Sequence, residues 1–302
     1  MGARPTPLQS RASDVLAFGP VHLEVTDVHR SGAFWQEVVG LRPVPWDAGG
    51  TALGAGERPL VVLHPGARGA RPPGRSGLYH LALHVPSEAD FADAIARASV
   101  RRWPQAPTDH ITHWATYLDD PDGIQVEVAF ETPDRVGTYE AGPGWPRIVD
   151  ADGRARRAVE PLDTADVMHH ATAGGQERPM ADGTVVGHLH LHVRDLDEAQ
   201  AFHADLMGMT RNVAAPAIGF ADLSLGGPFP HRMAVNTWQA PGAPPAAGAP
   251  GMRHADLLWR DAAARDAALA RLHDAGALRG DSGDPTPTAL DPSGNAFRLG
   301  TP

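Results

Sequence analysis

Sixteen histidines in a chain without a single cysteine limit the metal and acid–base chemistry open to it. Thiolate ligation, disulfides and cysteine nucleophiles are excluded, so any ion must be held by His, Asp or Glu. Two runs alternate histidine with apolar residues, GLYHLALH over 77–84 and VVGHLHLH over 185–192. In an extended strand this puts His80, Ala82 and His84 on one face, and His188, His190 and His192 on one face. Three imidazoles on one strand face cannot all reach a single ion, so His84, His190 and His192 read as histidines with satisfied hydrogen bonds. His80 and His188 stand apart because each is expected to open its strand, at a rim where coordination positions stay open. A carboxylate, Glu127, interrupts the otherwise apolar run IQVEVAF over 124–130. Alternation leaves two places for it, a solvated outer face or a partnered inner one. Two histidines and one carboxylate from different strands suit Fe(II) with open positions, and Mn(II) and Zn(II) accept the same donors.

The elements that must position these residues are written into the chain more than once. PVHLEVTDVHRSGAFWQEVVGL, from Pro20, returns as HLHLHVRDLDEAQAFHADLMGM from His188. GLYH (77–80) returns as GMRH (251–254), and DPDGIQVE (120–127) as DPSGNAFR (291–298). Four modules follow one another, each with the order β-α-β-β-β. The periodicity predicts a strand at Val21–Val25 and a helix capped by Ser31, running to about Val39 and ended by Gly40. It predicts a strand at Leu78–Val85, a helix over about 87–98, and strands near His113–Leu118 and Ile124–Phe130 joined by an Asp-Pro-Asp-Gly turn. The third module is expected as a strand over Val186–Val193, a helix over Leu196–Met207, and strands near Phe220–Leu225 and Met233–Trp238. The fourth is expected as a strand at Ala255–Trp259, a helix over Asp261–Ala275 and a last strand near Ala296–Leu299. A unit this small cannot bury its own sheet face, so units must pair into cups lined by their inward strand faces. The mismatches between copies carry chemistry: Pro20 opposes His188, and Arg298 opposes Glu127.

At 302 residues the chain exceeds what one hydrophobic core usually serves, so two domains are expected. The division predicted is an N-terminal domain over 15–132, a polar connector over 133–184 and a C-terminal domain over 185–300, with 1–17 as a loose leader. A net charge of −10 argues against a nucleic-acid surface, which needs a basic patch. No window reaches the roughly 20 apolar residues of a membrane span, and the opening MGARPTPLQSRASD has no apolar signal core. Cytoplasmic location is the expectation.

The segments GLYHLALHVPS (77–87), YLDDPDGIQVEV (117–128), VVGHLHLHVRDLDEAQAF (185–202) and HRMAVNTW (231–238) carry a family resemblance. Over about residues 15–300 the chain resembles the catechol 2,3-dioxygenase-like, ring-cleaving branch of the vicinal oxygen chelate superfamily, which also holds glyoxalases and bleomycin-resistance proteins. The resemblance implies an α+β fold of four βαβββ modules forming two domains of this type with cup-shaped mixed sheets. It also implies an extradiol dioxygenase of aromatic-compound degradation, acting on a catechol- or hydroquinone-type diol with O2. In such enzymes Fe(II) is held by a His opening one module, a His opening its partner and a Glu on that partner's last strand. Module one has Pro20 at the His position, and module four keeps His254 but has Arg298 at the Glu position. The implied ligands are therefore His80, Glu127 and His188, with modules two and three sharing a cup or the site crossing between domains. A competing set stays in the N-terminal half and uses His22 in place of His188. His231 matches the acid/base histidine of the family, although the usual run of three histidines here reads Pro230-His231-Arg232. Tyr117 matches a substrate-side tyrosine, and His110 a histidine near the ring hydroxyls, with His113 as its alternate. Trp238, Met233 and Phe130 are candidate ring-contact walls, with core packing the stronger expectation for any one of them. A homo-oligomer is compatible with the resemblance. The two other readings on the same fold are a metal-dependent glyoxalase-like isomerase or lyase and a metal-free ligand-sequestering protein.

Overall fold

A computed structural model of the chain describes residues 13–141, 144–239, 242–279 and 286–302; most of the expected leader, and Pro143 of the connector, lie outside them. Module one comprises β1 (Leu16–Val25), α1 (Val28–Phe34), β2 (Arg42–Pro43), β3 (Thr51–Ala55) and β4 (Arg58–Pro65). Module two comprises β5 (Gly77–His84), α2 (Glu88–Val100), β6 (Ala106–Asp109), β7 (His113–Asp119) and β8 (Gln125–Glu131). The connector carries β9 (Val136–Glu140), β10 (Arg147–Asp150), β11 (Ala155–Arg156), β12 (Glu160–Pro161) and α3 (Thr164–Met168). Module three is β13 (Val185–His192), α4 (Leu196–Gln200), β14 (Thr210–Ala215), β15 (Phe220–Ser224) and β16 (Met233–Asn236). Module four is β17 (Gly251–Trp259), α5 (Ala262–Asp274), β18 (Leu278–Arg279), β19 (Thr288–Leu290) and β20 (Ala296–Gly300). Among the described residues no helix is long and apolar enough to cross a membrane.

Two large sheets are built by pairing modules. One runs β18-β19-β20-β17-β1-β4-β3-β2 and joins modules one and four. The other runs β12-β6-β7-β8-β5-β13-β16-β15-β14 and joins modules two and three, with connector strand β12 at its edge. In each, two antiparallel opening strands meet at the centre, β1 with β17 and β5 with β13. Parallel pairs flank them, β4 and β20 in the first sheet, β8 and β16 in the second. A division by halves, 15–132 and 185–300, and a division by sheets thus cut the molecule differently.

The helices follow the expected order but begin and end differently in detail. Asp27 caps α1 in place of Ser31, its carboxylate accepting the backbone N–H of His29 and Arg30; an Asp in extended backbone outcompetes a Ser already inside the helix. The last turn of that helix, Trp35–Val39, widens to a π-helix before Gly40, whose φ of 96° is open to glycine. Its repeat partner Asp195 caps α4 in the same way, and a π-helix again follows, over Ala201–Leu206.

Alternation decides what each central strand buries. Leu81, Leu83, Leu189 and Leu191 are fully buried in one continuous apolar core that draws on both sheets. Each contributes about 1.5–3 kcal/mol, which offsets the cost of packing polar groups on the opposite strand face. That opposite face carries His80, Ala82 and His84 of β5 with His188, His190 and His192 of β13.

Candidate metal centre

His80 and His188 do not open their strands at a rim. Each is the fourth residue of an eight-residue strand, and both are buried, His188 completely. The strands begin earlier than expected because Gly77 and Val185 already pair with the neighbouring strand, so the two imidazoles form the floor of the cup. Glu127 resolves its two-way choice inward: it lies beside Ala82 in the parallel pair of β8 with β5, and is fully buried.

These three side chains converge. Glu127 Oε2 lies 3.2 Å from His80 Nε2 and 3.1 Å from His188 Nε2, and the two nitrogens are 3.2 Å apart. With bonds of about 2.1 Å, ligands at right angles around an ion sit about 3.0 Å apart, so the triangle has the size of one face of a coordination octahedron. His22, the competing ligand, is elsewhere: it sits on β1 in the cup of the other sheet, beside His64 and His254.

Hydrogen bonds behind His188 fix which of its nitrogens carries the proton. Glu131 Oε1 accepts from His84 Nδ1 at 2.8 Å, so His84 Nε2 accepts from His188 Nδ1, also at 2.8 Å. This leaves His188 Nε2 as a lone pair aimed at Glu127 and His80. Burial pushes the His188 imidazole well below its ordinary pKa and lowers His80 to about 4, so both rings are neutral. Burial alone would raise the Glu127 carboxyl, but the facing His188 and His113 outweigh it and hold the group well below the usual carboxylate range. Lone pairs and an anion packed this closely need a cation among them. The donor set fits a metal ion, and a group of His80, Glu127 and His188 atoms lies within 4.8 Å of one another.

Behind the relay sits a buried ion network. Arg232, 1% exposed, donates to Glu131 at 2.5 Å and to Asp14 at 3.1 Å, and its guanidinium stacks on Phe229. Gly187 makes room for this: a Cβ there would lie 1.9 Å from the His84 ring.

A cavity of about 540 Å³ reaches the triangle at His80 and is lined among others by His110, His113, Tyr117, His231 and Trp238. His110 donates from Nδ1 to the Ala158 carbonyl at 2.7 Å, so its Nε2 accepts the Tyr117 hydroxyl at 2.8 Å. Burial holds His110 at about 3 and, with the Glu127 charge, keeps the Tyr117 phenol well above its ordinary value. His113 Nε2 stands 3.0 Å from Glu127 Oε1. His231 points Nδ1 at Asp222 Oδ2 across 3.3 Å, and the Tyr139 hydroxyl donates to that same oxygen at 2.6 Å. Thus His110, His113, Tyr117 and His231 all border the cavity above His80, Glu127 and His188. His190 and His192 share Asn236, which donates to His190 Nε2 and accepts from His192 Nδ1; their satisfied hydrogen bonds match the sequence reading. Trp238 lines the cavity, and Met233 and Phe130 are buried in the apolar core.

Several participants escaped the sequence reading. His84 had been set aside as a satisfied histidine, and its satisfaction turns out to be the support of His188. Glu131 shares the strand face of Glu127 and was visible to alternation. Tyr139 and Asp222, behind His231, come from the connector and from module three, and no local pattern joins them.

Known proteins place the chain. Residues 17–128 match the family model of the Glyoxalase/Bleomycin resistance protein/Dioxygenase superfamily. A catechol-2,3-dioxygenase of Bacillus subtilis strain 168 is 30% identical over 234 residues, covering 75% of this chain and 76% of that protein. Among solved structures, glyoxalase I from Zea mays superposes with a TM-score of 0.55 at 15% identity, over 94% of this chain and 92% of its own. The cppA protein of Streptococcus pneumoniae TIGR4 gives 0.51 at 10% identity, over 94% and 98%. At these identities the two structures speak for the fold alone.

Proposed function

This chain belongs to the glyoxalase/bleomycin resistance protein/dioxygenase superfamily, and we propose that within it the protein is an Fe(II)-dependent extradiol dioxygenase opening the ring of a catechol- or hydroquinone-type diol. The observation that carries the proposal is the triangle of His80, Glu127 and His188, three protein donors that would hold an ion together, with His80 lining the cavity beside them. This is the donor set of oxygen-using ferrous enzymes. The resemblance to a catechol-2,3-dioxygenase points the same way.

Bound there, Fe(II) would supply a Lewis acid that acidifies the diol hydroxyls and an electron source for O2. The protein's own groups do the rest. Tyr117 donates its hydroxyl hydrogen bond to His110, so its oxygen keeps lone pairs that can accept from a substrate hydroxyl in the cavity. His231, steadied through Nδ1 by Asp222, leaves Nε2 to take a hydroxyl proton and return it as the ring opens. An imidazole suits that exchange because one ring nitrogen can be held by a carboxylate while the other accepts or donates a proton. Tyr79 and Trp238, whose rings meet edge to face at 5.4 Å, form the apolar wall that holds the ring and keeps water out.

The test is anaerobic loading with Fe(II), then a panel of catechols and hydroquinones, then air. Oxygen uptake with a yellow ring-opened product is the expected result. Metal uptake without oxygen consumption across the panel would replace the proposal with isomerase or lyase chemistry. Failure to take up metal would leave a ligand-sequestering protein.

A further inference from the structure

The cup of the other sheet holds a second convergence of ligand atoms, and we propose that it binds a second divalent cation, of the zinc type, through His22, His254 and Asp256. The three lie within 4.8 Å of one another. His22 Nε2 is 4.0 Å from Asp256 Oδ2, and His254 Nε2 is 3.7 Å from Asp256 Oδ1. His22 Nε2, His254 Nε2 and Asp256 Oδ1 are all buried, and none has a hydrogen-bond partner. His22 itself is only 2% exposed. Unsatisfied polar atoms are costly singly, and three pointed at one place share one remedy.

The site is not the first one copied. In the repeat, His254 stands where His80 stands, but Pro20 and Arg298 occupy the positions of His188 and Glu127. His22 lies two residues along its strand face from Pro20 and pairs directly with His254, as His190 pairs with His80; Asp256 lies two residues along β17 from His254, at the position of Ala82 and across the strand pair from Arg298. A shift of two keeps a side chain on its face, so the cup keeps two histidines and one carboxylate while changing which residues supply them.

The geometry differs as well. Four ligands around an ion with bonds of about 2.1 Å sit about 3.4 Å apart, wider than an octahedral face. The His254 Nε2–Oδ1 separation of 3.7 Å closes on such an ion by a few tenths of an ångström; His22 Nε2, 4.0 Å from the second oxygen Oδ2, reaches it by a turn of the carboxylate, with the His254 ring turning out of its 4.0 Å stack on His22. With His22 Nδ1–H donating to His64 Nε2 across 2.8 Å, Nε2 is left as the lone-pair, coordinating atom. Burial keeps both rings neutral, His22 at about 3 and His254 at about 2. Arg253 and Arg298 line the same cavity of about 530 Å³. Their charge makes this the weaker of the two sites for a bare cation, and they face the side from which an anionic co-ligand would complete the coordination.

The experiment is equilibrium dialysis of metal-free full-length protein against excess Zn(II), counting ions by mass spectrometry, with Co(II) absorption as the second readout. The wild type should hold two ions in two affinity steps. Asp256→Ala and, more conservatively, His254→Gln should each hold one, and that remaining ion shows that the variant is folded. Glu127→Gln should lose the other ion. With Co(II), the intense visible band of four-coordination should vanish in Asp256→Ala and survive in Glu127→Gln. An ion count and spectrum left unchanged by Asp256→Ala and His254→Gln would overturn the proposal. A wild type whose single ion is lost in Asp256→Ala and kept in Glu127→Gln would instead support this site and remove the dioxygenase reading.

Discussion

The two cups of this molecule share strand order, pairing register and a central histidine pair, yet a single exchange separates their electrostatics. On the last strand of one cup stands Glu127, and at the same place in the other stands Arg298. Glu127 is fully buried beneath the cavity and gathers His80, His188 and His113 around it. Arg298 lies beside Asp256 across the strand pair and lines a cavity with a second arginine. The comparison teaches that the fold supplies the convergence of strands, whereas the chemistry is set by a handful of positions on two strand faces.

The comparison breaks first at Glu127. Glu127→Gln removes the charge that balances an ion and should cut iron affinity by more than about 100-fold, beyond the 10–100-fold that loss of an outer partner costs. Dialysis of Fe(II) under nitrogen reads it. His188→Ala should do the same, while His22→Ala should leave the iron in place; iron lost from His22→Ala would move the centre to the other cup.

The support behind His188 comes next. Gly187→Ala drives a Cβ into the His84 ring and should lower iron affinity by about 10–100-fold with the ligands themselves intact. Glu131→Ala leaves the buried Arg232 with Asp14 as a carboxylate partner and should in addition cost about 3 kcal/mol of stability, the low end for breaking a buried ion network, measured by urea unfolding. If both variants bind iron like the wild type, the relay has no part in orienting His188.

A smaller effect is expected above the metal. His231→Gln should keep the iron and lower turnover by about 10²-fold or more, whereas Tyr117→Phe, losing one hydroxyl to an imidazole, should cost about 1–3 kcal/mol of transition-state binding. Steady-state oxygen uptake on iron-loaded protein separates the two.

The pH dependence is the finest test. With the His80 pKa lowered to about 4 and His188 also lowered, the imidazoles remain deprotonated and able to ligate from neutral pH down past the ordinary histidine value. Protons displace the metal only as the pH falls toward about 4. Iron retention should therefore be flat between pH 8 and roughly pH 5.5, where a pair of ordinary imidazoles with pKa near 6.5 would already be releasing it. Release centred near pH 6.5 would mean the floor of the cup is open to water.

The repeat made the fold legible because binary patterning survives in every copy: the alternation of β5 and β13 and the caps of α2 and α5 follow from local sequence. The ligand triangle was legible as well, through the mismatches at Pro20 and Arg298. The depth of His80 and His188 was not, because a strand's start depends on partners that alternation within one strand does not name. Nor was the pairing of modules one with four and two with three fully determined, since each opening strand offers the same edge to either partner. The Arg232–Glu131–His84 relay joins residues from three separate strands and loops, so no spacing reveals it, although Arg232 occupies a position where the family resemblance expects another histidine.

The most direct measurement is electron paramagnetic resonance of the Fe(II)-loaded protein exposed to nitric oxide as an oxygen surrogate, without and with a catechol. The account predicts a high-spin ferrous–nitrosyl signal that shifts when the catechol is added and is absent from Glu127→Gln. A signal that persists unchanged in Glu127→Gln, or no signal from the wild type, would contradict a ferrous centre at His80, Glu127 and His188.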